Sequence, residues 1–201
     1  GAVLGQLVSS TTHTNAGISN DRLTYTDVTG NYKDTIKNVK SYILKASVTL
    51  TGNGLNGSGY FGTYDGQAHG ATATVMGVDG AVLGQVVSST THTNAGIYSD
   101  TVTYTDVTGN YKDTSKNVKS YILKASVTLT GNGLNGSGYF GTYDGQAHGA
   151  TATVMGVDGA VLGQVVSSTT HTNAGVYSDT VTFLGDANYK VASKVVKSYI
   201  I

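Results

Sequence analysis

The chain repeats itself, and that constrains its fold more than any local pattern. Residues 1–79 laid over 80–158 match with a period of 79 residues and six differences: Leu7/Val86, Ser19/Tyr98, Asn20/Ser99, Arg22/Thr101, Leu23/Val102 and Ile36/Ser115. A third copy begins at Gly159 and diverges where Phe183-Leu184-Gly185-Asp186-Ala187-Asn188-Tyr189 replaces Tyr104-Thr105-Asp106-Val107-Thr108-Gly109-Asn110-Tyr111, one residue longer. Near-identical copies in series must each close a core beside a neighbour of the same sequence, so the expectation is an array of small units.

The chain also sets the frame of the repeat. The closing run Val195-Val196-Lys197-Ser198-Tyr199-Ile200-Ile201 aligns with 117–123, so a unit ends near Lys124 and the next begins at Ala125. Residues 46–124 and 125–201 are then complete units, and 1–45 is the C-terminal part of another. Starting in mid-unit without an initiator Met, the chain is expected to be a fragment of a longer array, which leaves any export signal out of view.

Val, Thr and Tyr dominate the stretches between Gly-rich breaks, and such side chains suit a pleated sheet better than a helix. The run Ile97-Tyr98-Ser99-Asp100-Thr101-Val102-Thr103-Tyr104-Thr105 alternates, with Tyr98, Val102 and Tyr104 on one face and Ser99, Thr101, Thr103 and Thr105 on the other. Shorter alternations at 47–51, 71–78, 81–88 and 117–123 read as strands, and 52–59 and 64–66 as turns. Six or seven short strands per unit predict a small antiparallel sandwich. Glu is absent and no segment sustains a helical apolar period, so essentially no helix is expected.

Four blocks in order carry a family resemblance: Tyr143-Asp144-Gly145-Gln146-Ala147-His148, Ala150-Thr151-Ala152-Thr153-Val154, Asn173-Ala174-Gly175-Val176-Tyr177 and Gly185-Asp186-Ala187-Asn188-Tyr189. Together they resemble the tandem Ig-like repeats of bacterial surface proteins and adhesins, the YDG/MBG-type modules. The resemblance spans the whole chain and implies an all-β, Ig-like antiparallel sandwich repeated as a stalk on the bacterial cell surface. The Asn-Ala-Gly-x-Tyr block also resembles the tyrosine corner of Ig-like folds, which would give Tyr98 and Tyr177, with Gly96 and Gly175, a structural role. Asp144, Gly145 and His148 would be structural in the Tyr-Asp-Gly turn. Ser19 stands where Tyr98 and Tyr177 do, so the first unit lacks that anchor and is expected to be the least stable.

Composition narrows the chemistry. Twelve Lys+Arg balance twelve Asp, a neutral chain without the basic face of a general nucleic-acid binder. No window approaches the roughly 18–20 apolar residues of a spanning helix. Absence of Cys removes disulfides and thiolate metal sites. The five His recur as Thr-His-Thr (His13, His92, His171) and Gln-Ala-His-Gly (His69, His148), two per complete unit, which reads as hydrogen bonding rather than zinc binding. Asp106, Asn110 and Asp113, copied as Asp27, Asn31 and Asp34, are the nearest calcium candidates, with Asx turns the alternative reading. Asp79 or Asp158 could contribute to a site between units. No cofactor is expected.

Ser88 and Ser89 with His92 and Asp100 lie along extended chain, without the sharp turn that presents an activated serine. Lys119 could be nominated for an isopeptide bond with Asn117 or Asp100, yet alternation points it outward beside Val118 and Ile122. The Gly-rich 52–59 stretch lacks the Lys-Ser/Thr and helix of a phosphate cradle. Asn56-Gly57-Ser58 and Asn135-Gly136-Ser137 match the glycosylation sequon. The expected function is a non-enzymatic, semi-rigid spacer, because Tyr121-Ile122-Leu123-Lys124-Ala125-Ser126-Val127 joins units with two or three residues spare and neither Gly nor Pro. Its partners would be neighbouring repeats, without nucleic acid or membrane insertion. One alternative is an extracellular filament subunit that self-associates by strand complementation. The other is a carbohydrate- or protein-binding module using Tyr60, Phe61 and Tyr64.

Overall fold

Alternating β-branched and polar residues make extended chain almost everywhere in the computed structural model, which describes residues 3–201, the side chain of Asp79 excepted. The first unit contributes a single antiparallel hairpin, β1 (Gly17–Tyr25) with β2 (Thr35–Ile43), in continuous register from Gly17↔Ile43 to Tyr25↔Thr35. The second unit holds β3 (Thr49–Gly52), β4 (Tyr60–Thr63), β5 (His69–Met76), β6 (Val82–His92), β7 (Gly96–Tyr104) and β8 (Thr114–Leu123). The third repeats the plan as β9 (Thr128–Gly131), β10 (Tyr139–Gly141), β11 (His148–Met155), β12 (Val161–His171), β13 (Gly175–Phe183) and β14 (Ala192–Ile200). Helical structure among the described residues is confined to four three-residue 3-10 turns, at Leu55–Gly57, Val78–Gly80, Leu134–Gly136 and Val157–Gly159.

Each complete unit has two three-stranded sheets. In the second unit their orders are β3-β5-β6 and β4-β8-β7, and in the third β9-β11-β12 and β10-β14-β13. Among the described strands all pairings are antiparallel except β4 with β8 and β10 with β14, where a short strand runs parallel to the last strand of its unit. Sequence alternation marks no strand at Tyr60 and Phe61, which lie between the two turn stretches. Three or four residues that include a glycine are too few to show a period, and pairing with a strand distant in sequence extends them.

The apolar faces of the two sheets meet in one core, where Leu50, Ala71, Ala73 and Val75 pack with Val102 and Val118. Leu129, Ala150, Ala152, Val154, Val181 and Val196 do the same in the third unit. This sandwich is thin. A Cβ added to Gly59 would lie 2.5 Å from Cβ of Ala71 and 2.6 Å from Cγ2 of Val118, so the backbone reaches the core only because Gly is there. Lys116 and Lys194 tie the sheets together by donating from Nζ to the carbonyls of Leu50 (2.7 Å) and Leu129 (2.8 Å). Among described residues 3–45 the single buried residue is Asp21, so the first unit has no comparable core.

Candidate functional site

Alternation along β7 places Asp100 on the inward face between Tyr98 and Val102, and the residue is 1 % exposed. Such a charge is tolerated in a core only when its oxygens are occupied. Thr90 donates to Oδ1 at 2.9 Å, His92 Nε2 lies 2.7 Å from the same atom, and Ser120 donates to Oδ2 at 2.5 Å. Burial pushes the carboxyl up, but the bonds from Ser120, His92 and Thr90 outweigh it and hold it below its ordinary range. β6, β7 and β8 are thereby joined across the two sheets. Asp179 repeats the arrangement with Thr169, His171 and Ser198. Asp21 does so with Thr11, His13 and Ser41, and the bond from Ser41 comes first in lowering its pKa to about 2. The sequence signal for this hub was an Asp in the apolar phase of a strand.

The residues expected to be structural fall around these hubs. Tyr98 stacks on His92 with ring centroids 3.8 Å apart and planes within 4°, and its hydroxyl donates to the Asn94 carbonyl at 2.7 Å. Tyr177 does the same with His171 and Asn173. Gly96 must lack a side chain, since a Cβ there would approach the Tyr98 hydroxyl to 2.9 Å; Gly175 faces Tyr177 in the same way. In the Tyr-Asp-Gly turn Asp144 accepts from the Gln146 N–H and sits 2.8 Å from His148 Nε2, and those contacts hold its pKa down. Gly145 turns the chain at φ 75°, and His148 stacks on Tyr139 at 4.2 Å.

The calcium candidates do not converge. Asp106 accepts from the N–H and hydroxyl of Thr108 and from the Tyr111 N–H, while Asp113 accepts the Asp106 N–H at 2.8 Å. Burial raises the Asp106 carboxyl, but these bonds overcome it and hold it well below the carboxylate range. This Asx cage leaves the Asn110 side chain pointing out of the loop. No group of three or more His, Cys, Asp or Glu that could hold a metal ion occurs among the described residues. Asp158 is exposed in a left-handed turn (φ 54°), whereas the side chain of Asp79 lies outside the described residues.

Asn110 instead reaches the preceding unit. Its Oδ1 accepts the Ala16 N–H at 2.7 Å, and its Nδ2 donates to Asn15 Oδ1 at 3.2 Å. Asn188 clasps Ala95 and Asn94 identically, at 2.8 and 3.2 Å. The linker residue is held in the same joint. Ala46 donates to the Asn110 carbonyl and accepts from the Lys112 N–H, both at 2.9 Å, and Ala125 pairs with Asn188 and Lys190 in the same pattern. The linker lysines lean on the following loop, Lys45 3.9 Å from Asp106 and Lys124 on the carbonyl of Asp186. In the second joint the Tyr64 ring meets Tyr189 edge-on at 5.3 Å. The first joint instead has a hollow of about 290 Å³, lined by Ala16, Ile18, Ile43, Leu44 and Gly109. Sequence reasoning named Asn110 but missed this role. The available signal was that Asn-Tyr persists at 31–32, 110–111 and 188–189 although the loop before it changes length.

The other candidates are not assembled. Ser88 accepts the Ala71 N–H at 2.9 Å and donates to the Thr90 carbonyl at 2.7 Å, at the β5–β6 bulge, and no bond joins it to His92. Lys119 is exposed and donates to Ser99 at 3.0 Å, while Asn117 accepts from Thr101. Asn56 and Asn135 sit on exposed 3-10 turns, but the sequon serines Ser58 and Ser137 are buried. Beside these turns each complete unit has an open groove of about 360 Å³, with Leu55, Phe61, Tyr121, Lys116 and Lys119 lining it in the second. No helix of the described residues is long and apolar enough to cross a membrane. Comparison of the chain with protein-family models, with curated proteins and with solved structures finds no match.

Proposed function

We propose that this chain is a non-enzymatic spacer, a run of Ig-like sandwich units forming a semi-rigid stalk of an extracellular bacterial surface protein. The observation that carries the reading is the joint. The asparagine clasp recurs at both junctions, and the alanine that opens each following unit is pinned to the same Asn-Tyr loop, so neighbouring units are fastened side chain to backbone rather than strung on a free tether. The polar atoms of the hydrogen-bonding candidates are occupied in holding strands and turns, which suits structure rather than turnover.

Small-angle X-ray scattering tests the reading. A monomeric rod indifferent to calcium and chelator is expected, with Asn110→Ala/Asn188→Ala broadening its distance distribution. A wild-type profile of freely jointed units would reject the stalk. A second reading, recognition of a carbohydrate or protein, rests on the groove with Phe61 and Tyr121, whose rings lie 6.1 Å apart beside two lysines in each complete unit. A glycan-array screen showing binding that Phe61→Ala/Phe140→Ala abolishes would favour it.

A further inference from the structure

The two joints use one acceptor chemistry: an alanine N–H and an asparagine side chain in Thr-Asn-Ala-Gly, closed in the second joint by a tyrosine from the Tyr-Asp-Gly turn. The third unit presents the same parts uncovered. Ala16 and Ala95 are half-buried under their asparagines, whereas Ala174 is exposed, and Tyr143 is 55 % exposed where Tyr64 is half-buried against Tyr189. Yet the local geometry is already that of a filled acceptor. The Tyr143 N–H donates to the Ile201 carbonyl at 2.8 Å as the Tyr64 N–H does to Leu123, and Tyr177 holds Asn173 as Tyr98 holds Asn94.

We propose that Tyr143, Asn173 and Ala174 form the acceptor half of a repeat-to-repeat joint. Its occupant is a further repeat of this kind, which presents an Asn-Tyr loop and is tethered through a linker like Lys124–Ala125. The inference rests on the stalk reading and deepens it by naming what this face of the third unit recognises. The loop's shape argues for that occupant. Asp27, Thr29, Asn31 and Tyr32 form the same cage as Asp106, Thr108, Asn110 and Tyr111, with the backbone N–H of residues 32 and 111 each 2.9 Å from the aspartate, and Asn31 is exposed. The donor half is therefore built before docking. The two hydrogen bonds of the asparagine, one from the linker lysine and one ring contact are few for association of free molecules, whereas a short linker supplies an effective concentration of about millimolar. The interface reads a backbone N–H, an Asn side chain and a ring, and the linker lysine rests on the same loop, so the repeat is recognised by the shape of that loop with a lysine contact beside it.

Amide hydrogen exchange tests this on the chain as it stands and on the chain extended at Ile201 by Lys and a second copy of residues 125–201. In the unextended chain the Ala174 N–H should exchange about tenfold faster than the Ala95 N–H, the change expected from loss of one hydrogen bond. Extension should slow Ala174 to the Ala95 rate, and Asn→Ala at the added copy's counterpart of Asn188 should restore fast exchange without altering Ala95. An Ala174 rate unchanged by extension would overturn the proposal. Slowing of equal size on adding untethered chain at about 10 μM, far below the roughly millimolar effective concentration of the tether, would overturn the tethered occupant in favour of a second copy. Scattering from the same samples separates the two readings: a protected Ala174 without rod-like lengthening would reject the stalk alone, and lengthening without protection would reject the joint alone.

Discussion

Val82–His92 and residues 3–13 differ at one position, Val86 against Leu7, yet the first is the eleven-residue strand β6 and the second is not a strand. β6 pairs with β5 from His69↔His92 to Met76↔Val82 and places Ser88 in the core. Among the described residues no strand pairs with residues 3–13, and Leu4 and Val8 are exposed. Nearly identical local propensity thus yields different structure, because a strand is completed by hydrogen bonds supplied from elsewhere. The hubs follow suit. Asp21 keeps its Thr, His and Ser partners, but it stands over a lone hairpin, whereas Asp100 and Asp179 are enclosed by two sheets.

The largest break should come from Asp100→Ala, which orphans Thr90, His92 and Ser120 at once. By analogy with removing one partner from a buried ionic network, it should cost about 3–5 kcal/mol. Unit-resolved amide exchange should show the second unit opening. Asp21→Ala should leave exchange in the second and third units unchanged, and equal losses in all units would contradict the contrast.

The same hubs set an acid limit. Asp100 and Asp179 have folded pKa values below the unfolded carboxylate value of about 4, so their contribution is fully present above that pH and is lost as pH falls through the folded value. Circular dichroism should therefore show complete units intact above about pH 4 and unfolding below it, with Asp100→Asn/Asp179→Asn flattening that dependence.

Tyr98→Ser copies the residue of the first unit into the second. It removes a stack on His92 and a hydrogen bond to Asn94, for a loss of about 1–2 kcal/mol by thermal or urea unfolding. Gly96→Ala, harmful beside Tyr98, should be relieved in that background because the clashing hydroxyl is gone. Additive effects of the two changes would count against this coupling.

The smallest effect concerns the joints. Tyr64→Ala should open a hollow like the one between the first and second units, with about 1 kcal/mol less protection at the Ala95 N–H and unit stability unchanged. No change at Ala95 would mean that the ring contact adds nothing to the asparagine clasp.

Much of this was legible before folding. Repetition divides the chain into units and alternation marks β3, β5, β6, β7 and β8, while Tyr98, singled out with Gly96 as structural, binds the Asn94 carbonyl through its phenol. β4 was not legible, since a four-residue strand has no readable period and exists through parallel pairing with β8. The buried hub was half legible, because Asp100 lies in the apolar phase of its strand although its partners come from β6 and β8. Asn110 was visible as a loop residue and misassigned, because its partner lies 94 residues away.

The sequence by itself determined the repeat, the β-rich composition and the turns, because period, branching and glycine placement act over a few residues. Tertiary structure alone decided which near-identical segments become strands, which Asp is buried, and that an asparagine in one unit fastens the unit before it. Each of those depends on a backbone or side-chain partner distant along the chain, and no local pattern specifies where that partner will be.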